Sequence, residues 1–137
     1  METTKTHEHL LSPGLVGVLV KMIAAVKAKD ANCVHLQRDM KLSHNEYANA
    51  QKLRYFGLIA HYEEMGRRAS GFWLITSRGG KFLRNEIGIP IKVRTFSNHI
   101  IGKSEVLKMI KDFYPMYEPA WFQSEFGTVR LEQSSLF

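Results

Sequence analysis

The stretch Ser43-His44-Asn45-Glu46-Tyr47-Ala48-Asn49-Ala50-Gln51-Lys52-Leu53-Arg54-Tyr55-Phe56-Gly57 carries the punctuation of a helix at both ends. Ser43 and Glu46 have the spacing of a capping box, in which the serine hydroxyl and the glutamate carboxylate each satisfy a free backbone N–H. Gly57 suits the left-handed position that closes a helix. The spacing therefore predicts a helix over 43–56. Its buried side is centred near Tyr47, Ala50 and Leu53, and a turn of about 100° per residue then brings His44, Asn45, Ala48, Gln51, Lys52 and Tyr55 to the opposite side, with Asn49 at its edge. That face is small, polar and rich in donors.

Upstream, Ser12-Pro13 is a strong helix start, because serine caps a free N–H and proline at the first position loses nothing by lacking one. Leu15, Val16, Leu19, Met22, Ile23 and Val26 follow at helical spacing and predict a helix from Pro13 to Lys29. Lys21, Lys27 and Lys29 are most simply its solvated side. Residues 30–32 read as a turn and 33–35 as a very short strand. Leu36, Met40 and Leu42 predict a second, short helix just before Ser43. Residues 1–11 read as a polar N-terminal tail.

Downstream, 58–63 and 71–75 are rich in β-forming residues and predict a hairpin whose long connecting loop, 64–70, carries Arg67 and Arg68. Trp73 and Ile75 fall on one face of the second strand and Phe72 and Leu74 on the other, so both faces can be covered. Thr76 is placed to cap a further helix with Phe82, Leu83 and Ile87, weakened by Gly79-Gly80 in its first turn. Alternation over 89–96, a Ser97-Asn98 turn and His99-Ile100-Ile101 predict a second hairpin, which either extends the sheet or pairs with another subunit. Ser104 is read as the cap of a short helix over 105–113 that Pro115 ends.

Taken in order, with Leu53 four residues before Gly57 and Trp73-Leu74-Ile75-Thr76 leading to Gly79, these elements resemble a winged helix-turn-helix domain over 12–87. The expected class is α+β: a three-helix core with a β-hairpin wing, followed by an α/β C-terminal extension over 88–114 and an aromatic-rich tail over 115–137. The resemblance implies that the helix over 43–56 enters the major groove of double-stranded DNA while the wing, 63–71, meets the backbone. Paired donor and acceptor groups on Asn and Gln match an adenine edge, Lys52 reaches guanine or phosphate, and Ala48 permits close approach. Arg67 and Arg68 have the type and place for phosphate or narrow minor-groove contact. The DNA-binding candidates are thus His44, Asn45, Ala48, Asn49, Gln51, Lys52, Tyr55, Arg67 and Arg68.

Charge is distributed in the same sense. The 137 residues hold 19 Lys+Arg against 13 Asp+Glu, a formal net charge of +6. Residues 1–20 carry Lys5 against Glu2 and Glu8, and 113–137 carry Arg130 against Glu118, Glu125 and Glu132, so the residues between them hold +9. A basic body with mildly acidic ends suits a polyanionic partner. Glu63 and Glu64, beside the wing, oppose it. The expectation is a non-enzymatic DNA-binding protein, a transcriptional regulator of bacterial or phage type, and a homodimer held through its C-terminal third. The alternative is a protein-interaction module that docks through the wing or the tail.

Other classes lack their residues. No run of 18 apolar residues occurs, so no membrane span is expected, and 1–11 has no apolar core of a secretion signal. One cysteine, Cys33, fits a reducing cytoplasm. His7-x-His9 and Cys33-x-His35 match no zinc spacing, no cofactor motif is present, and Glu63-Glu64 point to opposite faces of a strand, which makes them poor acid/base partners. The tail from Met116 to Phe126 is aromatic enough to pack back on the domain or to mark an interface. Its last residues, Gln133-Ser134-Ser135-Leu136-Phe137, are similar to the Q-x-x-L-F peptide with which bacterial proteins hold the replication sliding clamp. That similarity implies polar contacts by Gln133 and an apolar pocket filled by Leu136 and Phe137.

Overall fold

The computed structural model describes residues 5–117, and they form an α+β fold. Helix α1, Pro13–Lys29, has the predicted bounds: Ser12 Oγ accepts from the Leu15 N–H at 3.2 Å, and Asp30 closes the helix in the left-handed region. Its stripe of Leu15, Val16, Leu19, Met22, Ile23 and Val26 is buried and forms one wall of the core. Strand β1, Thr6–Leu10, precedes it, so the segment 1–11 that reads as a tail contains a paired strand.

After strand β2, Val34–His35, the short helix expected around Leu36, Met40 and Leu42 is absent. Local side-chain bonds take the backbone elsewhere. Asp39 Oδ2 accepts from the His35 N–H at 2.7 Å, and His35 Nδ1 accepts from the N–H groups of Gln37 and Arg38 at 3.2 Å each. Leu36 and Met40 still reach the core, but from the turn 36–39 and the residue after it.

The helix predicted over 43–56 is two pieces. Helix α2, His44–Ala50, starts with the capping box as expected, Ser43 Oγ accepting from Glu46 N–H and Glu46 Oε1 accepting from Ser43 N–H. Gln51–Phe56 then tightens into a 3-10 helix that Gly57 ends at φ 76°. At three residues per turn, Leu53 and Phe56 fall on the same side, and both are buried. Tyr47, expected inside, is 38% exposed.

Strand β3, Ile59–Glu64, is shifted by one residue from 58–63, β4, Arg67–Ile75, is longer than the expected 71–75, and the predicted loop 64–70 shrinks to the two-residue turn Met65-Gly66, both at positive φ. The resulting sheet has the order β2-β4-β3. Thr76 caps helix α3, Ser77–Leu83, accepting from Gly79 N–H and donating to Gly57 O, which ties the helix to the end of the 3-10 segment. A Cβ on Gly79 would run into the Leu58 carbonyl oxygen, so glycine is required where α3 packs on the residue that leads into β3. Helix α3 ends four residues short of Ile87.

The extension forms its own layers. Strands β6, Lys92–Phe96, and β7, His99–Lys103, make the predicted hairpin around Ser97-Asn98. It neither extends the first sheet nor stands alone: β6 pairs with β1 in the order β1-β6-β7. Strand β5, Ile89–Pro90, pairs with β8, Leu107–Lys108, which takes residues expected in a helix. Only helix α4, Ile110–Phe113, remains of that helix. Ser104 caps nothing; its Oγ accepts from Ile91 N–H at 3.1 Å and donates to Val106 O at 3.0 Å, fixing the crossing between the two small sheets.

Candidate nucleic-acid interface

Of the nine sequence candidates, His44, Asn45, Ala48, Gln51 and Lys52 are exposed along α2 and the start of the 3-10 helix, and Arg67 and Arg68 are exposed at the start of β4. Asn49 is half-buried and its amide donates to Asn45 O at 2.8 Å, which occupies part of its readout capacity. Tyr55 is a correction. It is only 8% exposed, because the β1-β6-β7 sheet lies over it.

The contacts of Tyr55 show how that sheet is seated. The His9 ring stacks on it with centroids 4.5 Å apart, and His9 Nε2 meets Thr95 Oγ1 at 3.0 Å. Arg54 Nη2 donates to Tyr55 Oη at 2.6 Å, and Tyr55 Oη in turn donates to Asn98 Oδ1 at 3.0 Å. The Arg54 guanidinium also lies 4.4 Å from the Tyr55 ring centre and donates to Gln51 O at 3.1 Å. One tyrosine therefore joins the 3-10 helix, β1 and the tip of the second hairpin.

Strand β1 also borders α2. Between them runs a groove of about 390 Å³ in which Asn45, Asn49 and Lys52 look across at Glu8 and His9. Part of the face expected to meet DNA is thus one bank of an intramolecular groove, and its exposed crest is His44, Ala48 and Gln51.

At the first hairpin the cations are opposed. Arg67 lies directly across from Glu64, and Arg68 from Glu63. Cross-strand neighbours of opposite charge attract one another at this spacing, so the hairpin tip is less positive than its two arginines suggest. Glu46 is likewise neutralised by Lys21 at 2.6 Å, and this hydrogen bond, with the one from Ser43 N–H, holds its carboxyl below the usual range.

The residual positive field shows in two imidazoles. His9 is held below the ordinary imidazole value, first by burial and then by Lys52, His7 and Arg54. His61 on β3 is also held below it, first by burial and then by Arg68 and Arg54, against an opposing pull from Glu63. Burial leads in both, yet the same guanidinium, Arg54, acts on both rings. A like charge within several ångströms disfavours protonation, so Arg54 adds to the effect of burial on both rings. Arg54, His9 and His61 were not among the sequence candidates. The i, i+2 spacing of His7 and His9 was a visible sign of a strand face, but the partner strand is more than eighty residues away.

Among the described residues, no three His, Cys, Asp or Glu side chains converge as a metal site, and no helix is long and apolar enough to cross a membrane. The clamp-like residues Gln133, Leu136 and Phe137 lie outside the described residues, as does the aromatic segment beyond Tyr117. No protein family, curated protein or solved structure matches the chain.

Proposed function

We propose that this chain is a non-enzymatic double-stranded DNA-binding protein, built as a variant winged helix in which α2 approaches the major groove and the β3–β4 hairpin follows the backbone. The observation that supports the reading is the exposed, polar side of α2 and the 3-10 helix, His44, Asn45, Ala48, Gln51 and Lys52, together with Arg67 and Arg68 exposed at the first hairpin. Phosphate contacts of this kind position a protein, while His44, Asn45 and Gln51 supply side chains able to meet base edges. The absent second helix is no obstacle to that geometry, since Leu36 and Met40 support the core without it. A role as a transcriptional regulator goes with this reading.

The test is a titration of mixed-sequence duplex DNA at rising salt. Neutralising three or four phosphates gives a slope of log affinity against log salt of roughly −3 to −4. Replacing Lys52 and Arg68 with alanine weakens binding to every sequence and flattens that slope, whereas Gln51→Ala alters sequence preference. A folded protein that fails to bind duplex DNA at low salt overturns the proposal.

A second reading, a protein-docking module, is favoured by the opposition of Arg67 and Arg68 to Glu64 and Glu63 and by the exposure of Ile101, Val106, Leu107 and Met116. It predicts the opposite result in the same titration.

A further inference from the structure

Between β3, the edge strand of the first hairpin, and the tip of the second lies a cleft of about 310 Å³. One wall is β3, where His61 shares a strand face with Ile59. The other is Asn98, His99 and Ile100, and Arg54 stands at the margin. Its size is at the lower end of the roughly 300–1,000 Å³ typical of small-ligand sites. That suits one flat ring system and is too little for a stack of base pairs.

The chemistry of the walls is specific. Ile100 gives apolar surface for the face of a ring, and the His61 imidazole gives a flat one. The imidazole of His61 is itself backed by Trp73, with ring centroids 4.0 Å apart, so its place is fixed by a buried aromatic. His99, the exposed first residue of β7, stands on the solvent side of the cleft. Asn98 accepts the Tyr55 hydroxyl proton through Oδ1, which leaves its amide N–H groups as donors for the edge of a base. Arg54 is held by Gln51 O and Tyr55 Oη, and its charge is felt at His61.

We propose that this cleft is a nucleotide site that takes one unpaired nucleobase of the bound nucleic acid, with the neighbouring phosphate on Arg54. The inference rests on the DNA-binding reading and narrows its substrate class: the preferred ligand is duplex DNA with an unstacked base, not a perfect duplex. Extracting a base from a stack is costly and is least so where the base is already unpaired. Stacking on ring and apolar surfaces then adds affinity that does not depend on which base it is.

The experiment titrates the full chain with two labelled duplexes of the same sequence, one fully paired and one with a single-nucleotide bulge, and in parallel with free nucleoside monophosphate. The bulged duplex binds roughly tenfold more tightly, a difference of the size one stacked base contributes. His61→Ala, which removes one wall of the cleft, and His99→Ala, at its exposed lip, each reduce that ratio toward one and leave affinity for the paired duplex unchanged. His99 is the exposed first residue of β7, so its variant reports even if His61→Ala perturbs the fold. Equal affinity for paired and bulged duplexes overturns the inference while leaving the DNA-binding reading standing. So does a preference that survives both variants, or tight capture of the free nucleotide with no bulge preference. Failure to bind either duplex overturns both readings together.

Discussion

The β3–β4 and β6–β7 hairpins both turn through two residues in the left-handed region, Met65-Gly66 and Ser97-Asn98, yet they are attached to the molecule by different forces. The first grows out of the core: Ile59, Trp73, Leu74 and Ile75 are buried at its base. The second buries Val93 and Thr95 of β6, but its tip is tied across Tyr55 by a chain of polar contacts, Arg54 to Tyr55 to Asn98, and by the stacking of His9 from the strand that pairs with β6. Burial is non-directional and tolerates small shifts, whereas a hydrogen-bonded chain fixes one geometry and is sensitive to the loss of one atom. The tip of the second hairpin can therefore be loosened while Val93 keeps the base of β6 in the core.

The largest expected effect breaks both hairpins at once. Trp73 is 2% exposed and backs both the core and His61, so Trp73→Ala costs about 3–5 kcal/mol, seen as a large fall in the denaturant midpoint. Next is Tyr55→Phe, which leaves Arg54 and Asn98 without their shared hydroxyl. It costs about 1–3 kcal/mol, and amide exchange accelerates in His99–Lys103 while β3 and β4 keep their protection. Equal acceleration in both hairpins would show that the attachments are alike after all.

Gly66→Ala acts on the first hairpin alone. Its φ is 79° and a Cβ there meets nothing within 4 Å, so the cost is backbone strain only, about 1 kcal/mol. The second hairpin's exchange pattern should not move.

The smallest effect is a pH dependence that samples both hairpins. His9 and His61 are held below the ordinary imidazole value of 6.5, so the unfolded chain takes up their protons first as pH falls. Their contribution to stability is complete above that value and is lost as pH drops through the lowered folded values. His9→Gln should remove part of that slope, and His61→Gln a separate part, in chemical denaturation measured between neutral and mildly acidic pH.

What the sequence disclosed follows the range of the forces involved. Helix α1, the capping box at Ser43, the Thr76 cap and the Ser97-Asn98 turn were legible because each depends on neighbours within a few residues. Strand β1 was not, since Thr6–Leu10 becomes a strand only through partners at Lys92–Phe96. Tyr55 was placed on the wrong side for the same reason: helical geometry sets which way it leaves the backbone, and a distant sheet decides that it is covered. The missing second helix failed locally. Asp39 and His35 compete for the backbone, a choice that apolar spacing at Leu36, Met40 and Leu42 does not register. At the interface, the exposed polar crest of α2 was readable, while the common reach of Arg54 to His9 and His61 required the two sheets to be assembled.

The pairing of β1 with β6 also has a consequence for the order of events during synthesis. His9 and Thr95 are 86 positions apart, so a ribosome that has delivered β1, α1 and the first hairpin has not yet delivered the strand that β1 needs. The core around Trp73 can condense beforehand, with β1 waiting as an unpaired edge. The sheet that covers Tyr55 cannot close until β6 has been delivered, and its closure assembles the far wall of the cleft.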